Sequence, residues 1–211
     1  MDAEGVKRYI TEHSEPEPPL LQELSRETAR KGLGLRMLSG HYQGRLLALL
    51  SKLIRPTCIL EIGTYTGYSA LCLVEGLAPG GRLITIDQNE KWQSLAGKYF
   101  EQSPYKDQIK PLIGHALEVI PDLNEQFDLV FIDADKRNYI NYFDLVIDQM
   151  NSGAVLLSDN VLWHGKVLQT AKRDDLNTQT LQKFNAILAA DQRLETVMLP
   201  IRDGLSISRV K

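Results

Sequence analysis

Alternating strand and helix patterns along most of the chain predict an α/β protein built around a mostly parallel sheet. Short apolar runs typical of buried strands recur after Thr57, and helical stretches separate the first five of them. This alternation is typical of right-handed βαβ units with helices on both faces of a sheet. The predicted architecture is a Rossmann-like, doubly wound, seven-stranded sheet with a C-terminal antiparallel hairpin and an N-terminal helical extension.

Residues 1–55 contain helical patterns and no strand-like run. A proline cluster (EPEPP) ends a short initial helix, and a second helix is predicted from Leu20 to about Lys31, before two glycines. A third helix, over Gln43–Ile54, is rich in leucine and isoleucine, which favours a helix facing the core.

The remaining elements follow in order from Thr57. The predicted strands are Cys58–Ile62, Arg82–Ile86, Ile109–Ile113, Phe127–Ile132, Ala154–Ser158, Glu195–Ile201 and Leu205–Val210. The predicted helices are Tyr68–Leu77, Asn89–Glu101, Ala116–Pro121, Asn138–Met150 and Asp174–Ala190. The Asp-Gly pair in Arg202-Asp203-Gly204 indicates a tight hairpin turn between the last two strands. Because the sequence has no repeat, low-complexity tract or linker, residues 1–211 are predicted to form one domain.

The composition is that of an ordinary globular protein. Hydrophobic residues make up 43% of the 211 and charged residues 24%, and the net charge of −3 weakly disfavours nucleic-acid binding. The N-terminal stretch lacks a signal-like apolar core and no apolar run is long enough to span a bilayer, so a cytoplasmic protein without a membrane partner is expected. Cys58 and Cys72 lie in apolar patterns and are expected to be buried thiols in a reducing compartment.

Polar clusters stand where three of the predicted strands end. They are Glu61 and Gly63 in LEIGTYTGYSA, Asp133 to Lys136 after FDLVFI, and Asp159-Asn160 after GAVLLS. In open α/β sheets, ligands bind in the crevice outside the carboxyl ends of the strands. The three clusters therefore predict a cofactor site next to a metal site.

The loop after the first strand has the pattern Glu61-x-Gly63-x-x-x-Gly67. Its glycines allow a tight turn and a close backbone approach to a ligand, although a helix-packing turn explains them equally well. A dinucleotide loop, Gly-x-Gly-x-x-Gly, would need glycines at positions 65 and 68, where this chain has tyrosines. The carboxylate of Glu61 suits a positively charged ligand such as a sulfonium with an ammonium group. Asp87 ends the next strand, where an acid can accept hydrogen bonds from a ribose. Together these residues predict a nucleoside cofactor.

Asp133, Asp159 and Asn160 offer a hard, all-oxygen set of ligands that suits Mg²⁺. No thiolate or histidine pair accompanies them, which disfavours zinc. The alternative interpretation is a helix N-cap at Asp133 and an Asx turn or N-cap at Asp159-Asn160. Lys136 is either a surface lysine or a general base beside the cation.

Four neighbouring side chains have less specific patterns. Asp135 is expected to be structural or solvated, and His164 to be an ordinary loop residue. Tyr68 and Trp163 are aromatic walls for a flat substrate or parts of the core.

Four motifs resemble, in order and spacing, those of the cation-dependent O-methyltransferases, the group of catechol and caffeoyl-CoA-type enzymes with their bacterial relatives. They are LEIGTYTGYSA, GGRLITIDQNE, FDLVFIDADKRNY and GAVLLSDNVLWHGKV, and the likeness runs from about Met37 to the C-terminus. The resemblance implies an S-adenosylmethionine cofactor and Mg²⁺, or Mn²⁺ or Ca²⁺ in its place. It also implies a small aromatic substrate with vicinal hydroxyl groups, and a homodimer.

The resemblance also implies roles for individual residues. Asp133, Asp159 and Asn160 hold the metal, and Lys136 is the catalytic base. The implied cofactor-binding residues are Met37, Ser39, Glu61, Gly63, Tyr65, Ser69, Asp87, Gly114, Ala116 and Asp133. Ala116 has no hydroxyl where some relatives have a serine, so an adenine hydrogen bond there must come from the backbone. The N-terminal segment matches less clearly, which leaves the methyl acceptor open.

The predicted reaction is in-line methyl transfer from the sulfonium to a catechol oxygen. A nicotinamide-dependent oxidoreductase is disfavoured by the missing glycine pattern, and a non-catalytic binding protein by the combination of base and metal ligands. A metal-independent methyltransferase of nucleic acid or protein is the remaining alternative, and its activity survives EDTA.

Overall fold

The computed structural model describes residues 3–211 and contains one seven-stranded sheet. The strands are β1 (Cys58–Ile62), β2 (Arg82–Asp87), β3 (Ile109–Ile113), β4 (Phe127–Ile132), β5 (Met150–Asp159), β6 (Leu194–Leu199) and β7 (Leu205–Val210). They lie in the order β3-β2-β1-β4-β5-β7-β6. The five strands from β3 to β5 are parallel, whereas β7 runs antiparallel to both β5 and β6. The predicted mixed sheet and C-terminal hairpin are confirmed.

Helices cover both faces of this sheet. They are α1 (Ala3–Glu12), α2 (Pro19–Arg30), α3 (Gly40–Ile54), α4 (Tyr68–Leu73), α5 (Glu90–Gln102), α6 (Ala116–Val119), α7 (Tyr139–Val146) and α8 (Leu176–Ala190). One apolar core packs α2 to α5 against the sheet, and a second packs α6 to α8 against the opposite face. Because the inner strands are apolar on both faces, polar side chains concentrate at the strand ends.

Several predicted boundaries differ from the structure. The helix predicted over Tyr68–Leu77 ends at Leu73 and continues as a 3₁₀ turn, because Gly76 packs so closely on α3 that a Cβ atom there would lie 2.1 Å from the Ser51 carbonyl carbon. The helix predicted over Asn138–Met150 is shorter, since 3₁₀ turns precede and follow α7 and Met150 already begins β5. The strand predicted over Ala154–Ser158 is correspondingly longer at both ends.

Helix α3 does not bury all the apolar residues that predicted a core-facing helix. Leu47 is fully buried, but Leu49 and Leu53 are 55% and 73% exposed. Cys58 and Cys72 are free and buried as expected, and burial raises the pKa of their thiols to about 11 and about 12. Within residues 3–211, every helix is too short or too polar to cross a bilayer.

Candidate active site

One cavity of about 830 Å³ opens at the carboxyl ends of β1, β2, β4 and β5. Twelve of the thirteen predicted site residues line it, which are Met37, Ser39, Gly63, Tyr65, Ser69, Asp87, Gly114, Ala116, Asp133, Lys136, Asp159 and Asn160. The thirteenth, Glu61, is fully buried and does not line the cavity. The three strand-end clusters therefore meet in one crevice, as the parallel order of the strands requires.

The two glycines of the loop after β1 are required by packing within the protein. Gly63 has φ +105°, and a Cβ atom there would lie 2.0 Å from the Asp133 carbonyl oxygen. Gly67 has φ +87°, and its Cβ atom would lie 2.6 Å from the Phe100 ring. The packing alternative is thus sufficient to explain both glycines. Gly63 also lines the cavity, and its close approach to Asp133 packs the loop after β1 against the polar cluster at the end of β4.

Glu61 is an acid with incomplete hydrogen bonding at the end of β1. Its Oε2 accepts a hydrogen bond from Thr85 Oγ1 at 2.5 Å, whereas its Oε1 is buried without a partner. Burial raises the pKa of Glu61 to about 8, and the hydroxyl of cavity-lining Ser69 is near enough to oppose part of this shift. An unpaired carboxyl oxygen next to the cavity wall fits a ligand with a positively charged group.

Asp87 organises the loop after β1 as well as lining the cavity. Its Oδ2 accepts the backbone N–H of Tyr65 at 2.8 Å, and its Oδ1 accepts that of Asn89 at 2.9 Å. Tyr65 adopts a left-handed backbone conformation with φ 48°, which this hydrogen bond helps to hold. Each carboxylate oxygen keeps a further lone pair for a ligand hydroxyl.

Two carboxylates, Asp133 and Asp159, lie where β4 and β5 end, close enough for their charges to interact. Burial, followed by the negative charge of Asp133, raises the pKa of Asp159 to about 6, and the buried amide of Gln43 opposes this shift. Asp159 Oδ1 accepts the backbone N–H of its neighbour Asn160 at 2.8 Å. A divalent cation between the acids would remove their repulsion, so the charges as well as the oxygen donors fit such an ion.

The alternative explanations for this cluster do not hold. Asp133 caps no helix, because the 3₁₀ turn that precedes α7 starts after Asp135 and its cap makes no side-chain hydrogen bond. Asp159 bonds the N–H of the next residue rather than the residue after that, so it forms no Asx turn. It is no N-cap either, because the next helical turn begins at Trp163 and is capped by Leu162. Among the side chains that the structure describes, no group of three or more His, Cys, Asp or Glu residues is arranged to hold a metal.

Lys136 is buried at the cavity wall, with only 7% of its surface exposed. Its Nζ donates hydrogen bonds to Asp133 Oδ1 at 3.2 Å and to the Tyr139 hydroxyl at 2.5 Å, and it lies 4.6 Å from the centre of the Tyr139 ring. The Tyr139 hydroxyl donates in turn to the Asp159 carbonyl oxygen at 2.8 Å. Tyr139 thus links the lysine to the strand end that carries Asp159 and Asn160, so the surface-lysine interpretation is wrong.

The less specific predictions have mixed outcomes. Asp135 is structural, since it accepts hydrogen bonds from Tyr142 and Asn138. His164 lies in the loop after β5, and its side chain is 76% exposed. Tyr68 touches the cavity but is 2% exposed and donates a hydrogen bond to Glu17 Oε1, so it belongs mainly to the core. Trp163 lines the cavity, with an indole N–H that is buried and unpartnered.

The structure also brings to the cavity residues that the sequence motifs did not single out. Trp92, on the first turns of α5, lines the wall near Asp87 and packs edge-on against the Tyr65 ring at 5.4 Å. Arg202 and Asp203, in the hairpin turn between β6 and β7, line the opposite side. An aromatic residue one turn after Asp87 was a usable signal for Trp92, whereas nothing in the sequence pattern brings a C-terminal turn to this crevice.

Comparisons with known proteins identify the family of the chain. Residues 11–211 match the family model described as O-methyltransferase. The chain is 34% identical to a caffeoyl-CoA O-methyltransferase of Petroselinum crispum, over 99% of its own length and 92% of the relative's. It is 31% identical to a catechol O-methyltransferase of Niastella koreensis, over 99% and 97% of the two chains.

Solved structures share the fold along the whole chain. An O-methyltransferase from Bacillus cereus in complex with SAH superposes with a TM-score of 0.91 and 30% identity, covering 98% of this chain and 97% of that one. The O-methyltransferase TomG from Streptomyces achromogenes in complex with SAM gives a TM-score of 0.90 and 28% identity, covering 100% and 99%. The protein is therefore an enzyme that belongs to the O-methyltransferase family.

Proposed function

We propose that the protein transfers a methyl group from S-adenosylmethionine to one hydroxyl of a small aromatic vicinal diol, with a divalent cation such as Mg²⁺ in the site. The observation that carries the proposal is that one cavity joins the Glu61 and Asp87 strand ends to the Asp133, Lys136 and Asp159 cluster. The first pair suits a cationic nucleoside, and the second suits a cation beside a proton acceptor.

The proposed cofactor site, in the half of the cavity beyond β1, is supported by the two acids at the ends of β1 and β2. The buried, unpaired oxygen of Glu61 favours a ligand with positive charge, and the free lone pairs of Asp87 favour ribose hydroxyls. Trp92 and the backbone at Gly114–Ala116 provide flat walls for a base. Relatives with the same fold carry SAH or SAM in their solved structures, which supports the same ligand here.

The metal half is supported by its donor set, with Asp133, Asp159 and Asn160 as the residues that would hold the ion. When bound, Mg²⁺ supplies positive charge that lowers the cost of ionising a phenol, whose pKa is roughly 10. Asp133 and Asp159 would hold the ion through carboxylate oxygens, and Asn160 would add a neutral oxygen.

Lys136 is the residue placed to move the proton. A methyl acceptor must lose its hydroxyl proton to become a good nucleophile, and Lys136 Nζ lies on the cavity wall within 3.2 Å of Asp133 Oδ1. The Tyr139 hydroxyl accepts a hydrogen bond from Lys136 Nζ and so fixes the position of this group at the cavity wall. The exposed walls at Met37 and His164 leave room for a planar acceptor at the mouth.

The test is methyl transfer from labelled S-adenosylmethionine to a panel of catechols, caffeoyl esters and flavonoids, with Mg²⁺ and with EDTA. EDTA should abolish turnover, and Mg²⁺ or Mn²⁺ should restore it. Asp159→Asn should lose Mn²⁺ binding in calorimetry, whereas Asp144→Asn, on the exposed face of α7, should keep it. Undiminished activity in EDTA contradicts the metal, and labelling of nucleic acid or protein in place of the panel contradicts the aromatic diol.

A further inference from the structure

The turn between β6 and β7 holds an arginine in a backbone conformation that glycine adopts more readily. Arg202 has φ 50°, a left-handed value that is uncommon for a residue with a side chain. The next two residues, Asp203 and Gly204, complete the hairpin turn, and both Arg202 and Asp203 line the cavity. A residue that keeps an unfavourable conformation needs contacts that hold it there.

The guanidinium of Arg202 supplies such contacts, because it binds three main-chain carbonyl oxygens of a distant segment. Its Nη1 donates to Leu38 at 2.6 Å and to Ser39, and its Nη2 donates to Arg36 at 3.1 Å. These bonds join positions more than 160 residues apart in the sequence. A planar fork of five N–H donors suits several carbonyl groups at once, whereas the single amine of lysine does not.

The segment held in this way, residues 36–39, links α2 to α3 and lines the cavity along its whole length. It overlaps one short 3₁₀ turn, Leu35–Met37, in which the Met37 N–H donates to the Gly34 carbonyl at 2.9 Å. Leu38 and Ser39 are each 5% exposed, but Met37 is 59% exposed. So short a connection has few internal bonds to fix its position, so the arginine is a substantial part of what holds it.

The same turn also holds the opposite wall of the cavity. The Asp203 carbonyl accepts the Leu162 N–H at 2.9 Å, and the Asp203 carboxylate accepts the His164 N–H. Gly204 packs on Leu162, and a Cβ atom there would lie 2.5 Å from the Leu162 side chain. The loop after β5, which begins at Asn160, is therefore fixed to the hairpin by backbone bonds that do not involve Arg202.

We infer that Arg202 is a positioning residue for methyl transfer, which clamps the 36–39 segment to the hairpin and so fixes one wall of the cofactor cavity. It acts through Met37 and Ser39 and not on the reacting atoms. The inference rests on the proposed function in one respect, namely that this segment covers the cofactor. It requires neither the metal nor the identity of the acceptor.

Arg202→Gly is the sharpest variant, because it removes the guanidinium and also relieves the left-handed backbone. A role limited to hairpin stability predicts a changed melting temperature with unchanged ligand binding. The clamp predicts about tenfold weaker SAH binding in calorimetry, whatever the net effect of the lost bonds and the relieved backbone on the melting temperature. It further predicts at least tenfold faster amide hydrogen exchange at residues 35–40 of the ligand-free protein, with residues 161–165 unchanged.

Arg55→Gly is the matched control, since Arg55 is also an exposed arginine with φ 53° but lies at the end of α3, outside the cavity lining. It should leave SAH affinity and exchange at residues 35–40 as in the wild type. Arg202→Lys should give intermediate values for both. Unchanged exchange at residues 35–40 in Arg202→Gly overturns the clamp, and faster exchange with unchanged SAH affinity overturns its role at the cofactor.

The two proposals fail in different ways. If the wild-type protein does not bind SAH, the proposed function fails at its cofactor. If the wild type binds SAH and Arg202→Gly binds it equally well, the proposed function stands and the inference is wrong. A protein that methylates no catechol but loses SAH affinity in Arg202→Gly confirms the clamp and contradicts the acceptor.

Discussion

The two halves of the cavity handle buried charge in opposite ways. In the half beyond β1, Glu61 is fully buried with one oxygen unpartnered, and burial raises its pKa to about 8. In the half beyond β4, the buried Lys136 has partners, because it donates hydrogen bonds to the Asp133 carboxylate and to the Tyr139 hydroxyl. The first half leaves a carboxyl oxygen without a partner, whereas the lysine of the second half is held in place by two hydrogen bonds.

In the proposed reaction, the half beyond β1 binds the cofactor and the half beyond β4 moves the proton of the methyl acceptor. A buried acid without a positively charged partner destabilises the folded chain when it ionises, and a cationic ligand offsets that cost on binding. A buried lysine held by a carboxylate and a hydroxyl keeps its position before the substrate arrives, which is what proton transfer requires. On the proposed function, changes in the half beyond β1 should therefore alter SAH affinity and protein stability, and changes in the half beyond β4 should alter turnover.

Replacing Lys136 should produce the largest effect. Lys136→Met, which keeps most of the buried side-chain volume, should lower kcat by roughly 10²–10⁴, the usual share of general acid–base catalysis. The loss should shrink for catechols with electron-withdrawing groups, because their more acidic hydroxyls need the base less. Steady-state kinetics with Lys110→Ala, an exposed lysine on β3, provides the control. Near-wild-type turnover of Lys136→Met on an unactivated catechol would show that the amine is not the base.

Glu61→Gln should stabilise the ligand-free protein at alkaline pH. Because the pKa of Glu61 is raised from its usual 4.5 to about 8, the folded state holds this proton more tightly than the unfolded state. The wild type should therefore lose stability as pH rises from about 4.5 to about 8. At pH 8 the variant should gain on the order of 2–4 kcal/mol in the free energy of unfolding, and at pH 4.5 almost nothing.

Thermal unfolding of both proteins across that pH range measures the Glu61 contribution, because all other titrating groups cancel in the difference. A gain of this size corresponds to several degrees in Tm for a chain of this length. SAH binding of Glu61→Gln should weaken at the same time, since the cationic ligand loses its acid. A pH-independent difference between the two proteins would show that Glu61 is already ionised without a ligand.

Asp87 should control cofactor affinity with little effect on turnover at saturation. Losing a hydrogen bond to a charged group costs about 1.5–3 kcal/mol, so Asp87→Ala should weaken SAH binding about tenfold or more. Alanine also deprives the Tyr65 and Asn89 N–H groups of their acceptor, whereas Asp87→Asn keeps one oxygen for them. Calorimetry on both variants separates ligand contact from loop support, with Asp107→Asn as an exposed control. Equal SAH affinity in all of them would exclude the ribose contact.

The sequence predicted the parts of the site that depend on strand order. Parallel strands end on one edge, so Asp87, Asp133 and Asp159 had to meet, and apolar runs marked each strand end. The strand assignments were reliable for the same reason, because a strand buried on both faces needs a continuous apolar run.

The remaining features depend on contacts that no local pattern contains. The glycines at 63 and 67 are required by Asp133 and Phe100, which lie far away in sequence. A lone lysine in a sequence is typical of the surface, and only the structure shows the Tyr139 hydroxyl that binds Lys136 at the cavity wall. Arg202 reaches across more than 160 residues to the 36–39 segment, so its role becomes visible only when the hairpin is placed against the N-terminal helices.

Tyr139→Phe should give the smallest effect and defines how the lysine is held. Burial raises the pKa of this hydroxyl well above its usual 10, so it stays neutral, accepts from Lys136 and donates to the Asp159 carbonyl. Phenylalanine keeps the ring under the ammonium but loses both bonds, each with a net worth of about 1 kcal/mol. We expect kcat to fall about three- to tenfold, with unchanged SAH affinity and an altered pH profile of kcat.

Tyr142→Phe, which loses a bond to structural Asp135, is the control and should stay near wild type. Equal kcat for both variants would mean that Asp133 alone positions the lysine, and that the half of the cavity beyond β4 is less preorganised than its hydrogen bonds indicate.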